Sequence, residues 1–306
     1  MKKYIYAWWF TSDFFKNFGD EVAPYVLEKL TGAKVLYIDI QKSYFRGLLS
    51  YFYTFVKTGK YPKDFILKLN PFRKICISVG SVAQMAKNKC IVWGAGLMNE
   101  NERPLGGKFY AVRGYKTAEQ LSFMFDENNI GIGDPALLLP LLYKPQIEKK
   151  YKMGIIPHHV NHKKIDQLVT NKDILIIDLS NRSVEEVIDD ICSCEFTVAD
   201  SLHGIIVSHA YNVPSLRIFI APIGGDGIKF EDYYSSINMP FQFPIEVNEE
   251  NKININDVNY FHSKINSQIE NYPNQQEIKK VQESLLKTFP YKIQYSLLNL
   301  EGFIIK

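Results

Sequence analysis

Residues 196–216 read FTVADSLHGIIVSHAYNVPSL. Phe196 to Ala199 is a short apolar run of strand length, broken at Asp200-Ser201, and His203 stands next to Gly204. Ile205, Ile206, Val207 and Ala210 continue as an apolar helix that stops before Pro214, and Ser215 to Ile220 returns to strand. Such a unit, apolar throughout, is the building block of a parallel sheet covered on both faces. It also sets His203 among the free N–H groups of a helix N-terminus, where the helix dipole favours a phosphate or carboxylate. The alternative is a helix-start histidine that only caps and packs.

The pattern extends in both directions. In the first half, strands are expected at Tyr4 to Phe10, Lys34 to Ile38, Ile75 to Val79, Cys90 to Trp93 and Phe109 to Arg113, with helices at Glu21 to Leu30 and Thr117 to Phe125. After Pro145 a charged hinge, IEKKYK, is followed by a restart. Strands at Met153 to Ile156 and Asp173 to Asp178 alternate with helices at Lys163 to Thr170 and Ser183 to Cys192. Phe261 to Tyr272 and Gln275 to Thr288 read as terminal helices that pack back across the pair. The expected fold is α/β: two doubly wound, Rossmann-like parallel-sheet domains, residues 1–147 and 148–306, facing a cleft between their strand C-terminal ends.

The 306 residues are 46% apolar and 23% charged, the composition of a globular chain. No apolar run approaches the roughly 20 residues of a membrane span. The opening MKKYIYAWWF is too short an apolar patch for a signal-peptide core, so a cytoplasmic location is expected. Cys76 and Cys90 read as core residues, and the single C-x-C pair Cys192/Cys194 is a weak metal signal. The net charge of +3 conceals residues 41–74, which hold eight Lys or Arg, one acid (Asp64) and nine aromatics. That segment suits an anionic membrane surface, or a solvated basic face with inward aromatics; nucleic-acid stacking is not favoured.

Strand-end loops supply the candidate site. Asn17, Gly19 and Asp20 follow the first strand, Gly94 and Gly96 the fourth, and Asp134 lies in Gly-Asp-Pro. Arg113 closes FYAVRG, where a guanidinium can bind carboxylate or phosphate bidentately; the alternative is a surface arginine that pairs with a nearby acid. His158 and His159 lie in PHHVNH; adjacent loop histidines chelate poorly, so anion binding or acid/base work is expected there rather than a metal, the alternative being a structural role. Ser201 and Gly204 flank His203, and Lys229 follows a glycine-rich turn, where it can hold an anion. Asp232 and Tyr233 read as structural.

Taken in order, N-F-G-D-E (17–21), V-W-G-A-G (92–96), A-V-R-G-Y-K-T (111–117), G-D-P-A-L-L-L-P (133–140), S-L-H-G-I-I-V-S-H-A-Y-N-V-P (201–214) and K-F-E-D-Y-Y (229–234) resemble the polysaccharide pyruvyl transferase family over about residues 15–235. The resemblance implies a GT-B-like fold and transfer of the enolpyruvyl group of phosphoenolpyruvate onto two hydroxyls of a sugar. The acceptor would be a polysaccharide or lipid-linked oligosaccharide precursor, with no cofactor. It aligns Arg113 with the arginine of the family's V-R-G segment and His203 with the histidine of its R-L-H segment. Ser201 departs from the arginine often found there, so Lys229, His158 or His159 must supply the cation. The chemistry suits His203 as the acid/base group and Asp20 or Asp134 as its helpers. A lipid-linked acceptor would fit peripheral attachment through residues 41–74 at the inner face of the membrane. The rival readings are a GT-B glycosyltransferase using a nucleotide sugar and a non-catalytic polysaccharide-assembly protein.

Overall fold

The computed structural model describes residues 4–11, 16–42, 44–60, 65–247, 253–267 and 274–299. The first half runs β1 (Tyr4–Trp8), α1 (Phe18–Thr31), β2 (Lys34–Tyr37), α2 (Tyr44–Thr58), α3 (Phe65–Lys68), β3 (Ile75–Ser78), β4 (Cys90–Ala95), β5 (Lys108–Val112), α4 (Tyr115–Gln120), β6 (Gly131–Ile132) and α5 (Leu139–Leu142). Its strands pair in parallel in the order β2-β1-β3-β4-β5-β6. The second half runs β7 (Tyr151–Ile156), α6 (His162–Leu168), β8 (Ile174–Ile176), α7 (Val184–Cys192), β9 (Cys194–Ala199), α8 (Leu202–Ala210), β10 (Ser215–Phe219), α9 (Ile228–Ser236), β11 (Ile245–Glu246), α10 (Val258–Asn266) and α11 (Gln275–Thr288). These strands are also parallel, in the order β11-β10-β9-β7-β8. Each sheet starts in its middle and reverses direction once, between β1 and β3 and between β7 and β9. This is the two-domain α/β, GT-B-like architecture.

The apolar runs become strands because both sheet faces are covered. Ile75, Cys76, Ile77 and Ser78 of β3 are all buried, as are Phe196 to Ala199 of β9. One continuous core joins the domains, with Phe18, Val22 and Leu27 of α1 against Leu179, Val184 and Ile188. α8 needs no polar stripe because it lies inside this core: Ile205, Ile206, Val207 and Ala210 are all buried. The sheets change over between Leu142 and Tyr151. α11 returns to the first sheet, where the Leu285 carbonyl accepts from Trp93 Nε1 at 3.1 Å and Gln282 Nε2 donates to the Leu137 carbonyl at 2.7 Å.

Three elements differ from the sequence reading. α1 starts at Phe18, not Glu21, because the N-F-G-D-E segment is itself the first turn: Asp20 N and Glu21 N both donate to the Asn17 carbonyl. The helix expected over 117–125 is the shorter α4 followed by a 3-10 turn at Ser122–Met124. Residues 44–58, read only as a basic aromatic stretch, form α2. The last six residues of the helix expected at Phe261 to Tyr272 fall partly outside the described residues, as do Tyr61, Lys63 and Asp64. The four cysteines are free thiols; Cys76, Cys90 and Cys194 are buried.

Candidate active site

Loops at the two reversal points face each other across the domain junction, the position where open parallel sheets take ligands. On the first domain β3 runs into Val79 and Gly80, both at positive φ (51° and 90°). A β-branched residue in that region stores backbone strain, held here by the burial of Val79. On the second domain β7 leads to His158 and His159, and β9 leads through Asp200 and Ser201 into α8.

His203 occupies the first turn of α8 and points at the first domain. Its ring lies against Gly19 of α1, where a Cβ would sit 2.2 Å from Nδ1. His203 Nε2 is 3.9 Å from Asp134 Oδ2, too long for a hydrogen bond, and neither atom finds a partner among the described residues. Asp134 is completely buried; its other oxygen caps the following turn, accepting from Ala136 N at 2.9 Å. Burial raises the Asp134 carboxyl to about 6. Burial, with the charges of Arg113 and Lys229 and with His158 nearby, drives His203 down to about 3, so the imidazole is neutral at neutral pH. Asp20, one residue after the glycine, accepts from Asn17 Nδ2 at 2.9 Å and is raised to about 6 by burial.

The surroundings are positive. α8 has no side-chain cap at its N-terminus, so its first-turn N–H groups face the junction for an anion. In α1 the Phe18 N–H already donates to the Leu179 carbonyl and Asp20 N to the Asn17 carbonyl, which leaves the Gly19 N–H. Lys229 is buried and lowered to about 8 by burial and by Arg113 and Arg217, which leaves it mostly charged at neutral pH. The charge of Lys229 acts on both His158 and His203. His158 is held down at about 4 by burial, His159 and Lys229. The loop carrying both histidines is fixed by Asp200, which accepts from His158 N and, at 2.6 Å, from Asn161 Nδ2.

Arg113 is not an open cation. Its guanidinium is fully buried and donates from Nε to Asp232 at 2.8 Å, from Nη1 to Ser81 Oγ at 2.6 Å and from Nη2 to the Leu97 carbonyl at 2.9 Å. Asp232, at the other side of the domain junction, also accepts from Thr117 N and Oγ1 at 2.8 and 2.7 Å. The pair therefore locks α9 to the first domain and places a fixed positive charge beside His203. Gly96 makes room for it, since a Cβ there would lie 2.2 Å from Arg113 Cζ. Gly94, at φ 85°, passes against the Pro135 ring. Gly204 lets α8 approach Ile156, and Ser201 is buried without capping its helix.

The structure thus gathers Gly19, Asp134 and His203 into one contact group, with Lys229 and His158 in electrostatic reach of His203, whereas Asp20, next to Gly19 in α1, is bonded to Asn17. It assigns Gly94, Gly96 and Gly204 to close packing. Sequence reasoning missed Ser81, Thr117 and Asp200, and it read Asp232 as structural without its partner Arg113. Among the described residues no three His, Cys, Asp or Glu side chains are grouped to hold a metal. The arrangement can bind an anion and exchange one proton with it.

The profile of the polysaccharide pyruvyl transferase family matches residues 17–218, two thirds of the chain. That range takes in the Gly19, Arg113, Asp134 and His203 contacts but ends before Lys229 and Asp232. An uncharacterized protein of Acanthamoeba polyphaga mimivirus is 29% identical over 243 residues, covering 76% of this chain and 75% of its own length. No solved structure matches. The order of motifs, the paired parallel sheets and the family match agree, and the chain belongs to the polysaccharide pyruvyl transferase family.

Proposed function

We propose that this protein transfers the enolpyruvyl group of phosphoenolpyruvate onto two hydroxyls of a sugar in a polysaccharide or lipid-linked precursor, leaving a pyruvate ketal. The observation that carries the reading is His203: a largely enclosed, neutral imidazole, its side chain 14% accessible, in the uncapped first turn of α8, packed against Gly19 of α1 and within reach of the charges of Arg113 and Lys229. Family membership supports the reaction class. The donor brings a carboxylate and a phosphate, and the α8 N-terminus with Lys229 holds them. Lys229 then supplies the charge of the arginine that Ser201 replaces, and His158, neutral at neutral pH, offers a hydrogen-bonding ring rather than a charge. Arg113, already committed to Asp232, acts as preorganised charge rather than as a grasping fork.

Burial is the main cause of the low His203 basicity and the neighbouring positive charge adds to it; an anionic donor beside the ring offsets that charge and supplies a counter-charge that favours imidazolium. His203 then gains a proton, and Asp134 Oδ2 accepts from its Nε2 as the two close from 3.9 Å. His203 delivers the proton to the methylene carbon of the donor, leaving oxocarbenium character at the carbon bearing phosphate. One sugar hydroxyl attacks that carbon and its proton passes to His203 or Asp20. Phosphate leaves, and the second hydroxyl closes the ketal with loss of its own proton. The products are the ketal and inorganic phosphate, with no cofactor, in the cytoplasm.

The test is phosphate release from phosphoenolpyruvate by wild type and His203→Ala across a panel of lipid-linked galactose- and mannosamine-containing acceptors. Acceptor-dependent release that the variant loses supports the reading. Turnover of a nucleotide sugar instead would make it a glycosyltransferase, and a physiological role unaffected by His203→Ala would make it a binding protein.

A further inference from the structure

α2 is amphipathic the wrong way round for a helix facing water. Its half-buried side carries Leu48, Tyr51 and Phe55, while its outer side exposes Leu49, Phe52, Tyr53 and Val56, each more than 60% accessible. These four recur at i, i+3, i+4 and i+7, one continuous stripe over two turns. Exposed Arg46, Lys57 and Lys60 flank it, and no Asp or Glu occurs from Ile40 to Lys63. Beside the helix Lys68 and Arg73 line a hollow together with Tyr51, Lys42 and Asp39, the last two paired at 3.3 Å. Nearby, Phe72 is 87% exposed.

Isolated surface apolar residues need no explanation, but a contiguous stripe rimmed by charge marks a contact surface. Its chemistry selects the partner. A second copy meeting it across a two-fold axis would bring Arg46, Lys57 and Lys60 toward their own counterparts, with no acid on the helix to neutralise them. Nucleic-acid bases stack on aromatic rings, yet Leu49 and Val56 hold half of the stripe. Apolar and aromatic residues flanked by cations fit the headgroup boundary of an anionic bilayer. No helix among the described residues is long and apolar enough to cross a membrane, so the contact is a surface one.

We propose that α2 docks this protein on anionic membranes, with Leu49, Phe52, Tyr53 and Val56 entering the interface and Arg46, Lys57 and Lys60 meeting lipid headgroups. The 15-residue helix lies along the surface and fixes the first domain against it. The inference stands whichever reaction the active site performs.

Flotation of the full chain with vesicles tests it, comparing pure phosphatidylcholine with phosphatidylcholine containing phosphatidylglycerol. Wild type should float with the anionic vesicles and release at high salt. Lys57→Gln with Lys60→Gln should weaken binding roughly 30-fold, from two lost cations near the surface. Leu49→Asp with Phe52→Asp should weaken it at least about tenfold. All four positions are exposed, so both variants should melt with wild type. Absence of flotation, or equal flotation of wild type and both variants, overturns the proposal. So does light scattering that shows a wild-type dimer broken by the aspartate variant while vesicle binding persists.

Discussion

Gly19→Ala is a one-methyl perturbation in the first domain whose effect should be read out by a histidine of the second. Gly19 has no positive φ, so alanine meets no backbone penalty and gains up to about 1 kcal/mol of helix propensity in α1. The new Cβ would stand 2.2 Å from His203 Nδ1 and 2.8 Å from Cγ and Cε1. Restoring an ordinary contact of 3.4 Å moves the ring by about 1.2 Å. The ring is largely enclosed and the backbone on both sides is helical, so the imidazole must swing away from its position facing Asp134. A 1 Å misplacement of a reacting group costs on the order of 100-fold in rate, about 2.7 kcal/mol of barrier. The assay is acceptor-dependent phosphate release set beside thermal melting. The expected result is a fall of about 100-fold in kcat in a protein that still melts cooperatively, the helix-propensity gain being set against a cost of about 1–3 kcal/mol for displacing the ring. Wild-type kcat in a folded Gly19→Ala protein would refute the claim that the N-F-G-D-E glycine exists to seat His203.

Two further predictions follow from the buried charges. Asp232→Asn keeps the shape of the lock but leaves the Arg113 guanidinium buried without its counter-charge. It should cost about 3–5 kcal/mol in urea unfolding, and a loss below about 1 kcal/mol would mean that the pair is not a lock. Asp134, raised from 3.8 to about 6, binds more protons folded than unfolded between those values, so its contribution to stability is lost as pH rises through that window. His203, lowered from 6.5 to about 3, works in the opposite sense: its contribution is lost as pH falls from about 6.5 toward 3. Asp134→Asn should therefore stabilise the protein by up to about 3 kcal/mol near pH 7 and by less near pH 5. Denaturant curves at the two values check this, and a larger gain at the lower pH would contradict it.

The strands were legible because burial on both faces leaves uninterrupted apolar runs such as KICISV and FTVA, and strand ends carry the glycines and polar residues of the site. His203 could be found because its strand–turn–helix context is local. α2 was not legible as a helix: Leu48, Tyr51 and Phe55 on one side and Leu49, Phe52, Tyr53 and Val56 on the other erase the apolar–polar period. The pairing of Arg113 with Asp232 was hidden for another reason. The partners are 119 residues apart and meet only when the two domains dock, so no spacing rule connects them. The same docking brings Gly19 to His203, a contact that the motifs anticipate only as neighbours in a family order. It also explains why a residue expected to hold the donor, Arg113, is instead engaged by Asp232, Ser81 and the Leu97 carbonyl.

Recharging of the neutral His203 by an anionic donor is measured directly by calorimetry, without knowledge of the acceptor. Phosphoenolpyruvate would be titrated into wild type and His203→Ala near pH 7 in two buffers of different ionisation enthalpy. Binding with uptake of about one proton is expected for wild type, and binding without that uptake for the variant. Binding with no proton uptake in wild type, or no binding at all, would contradict it.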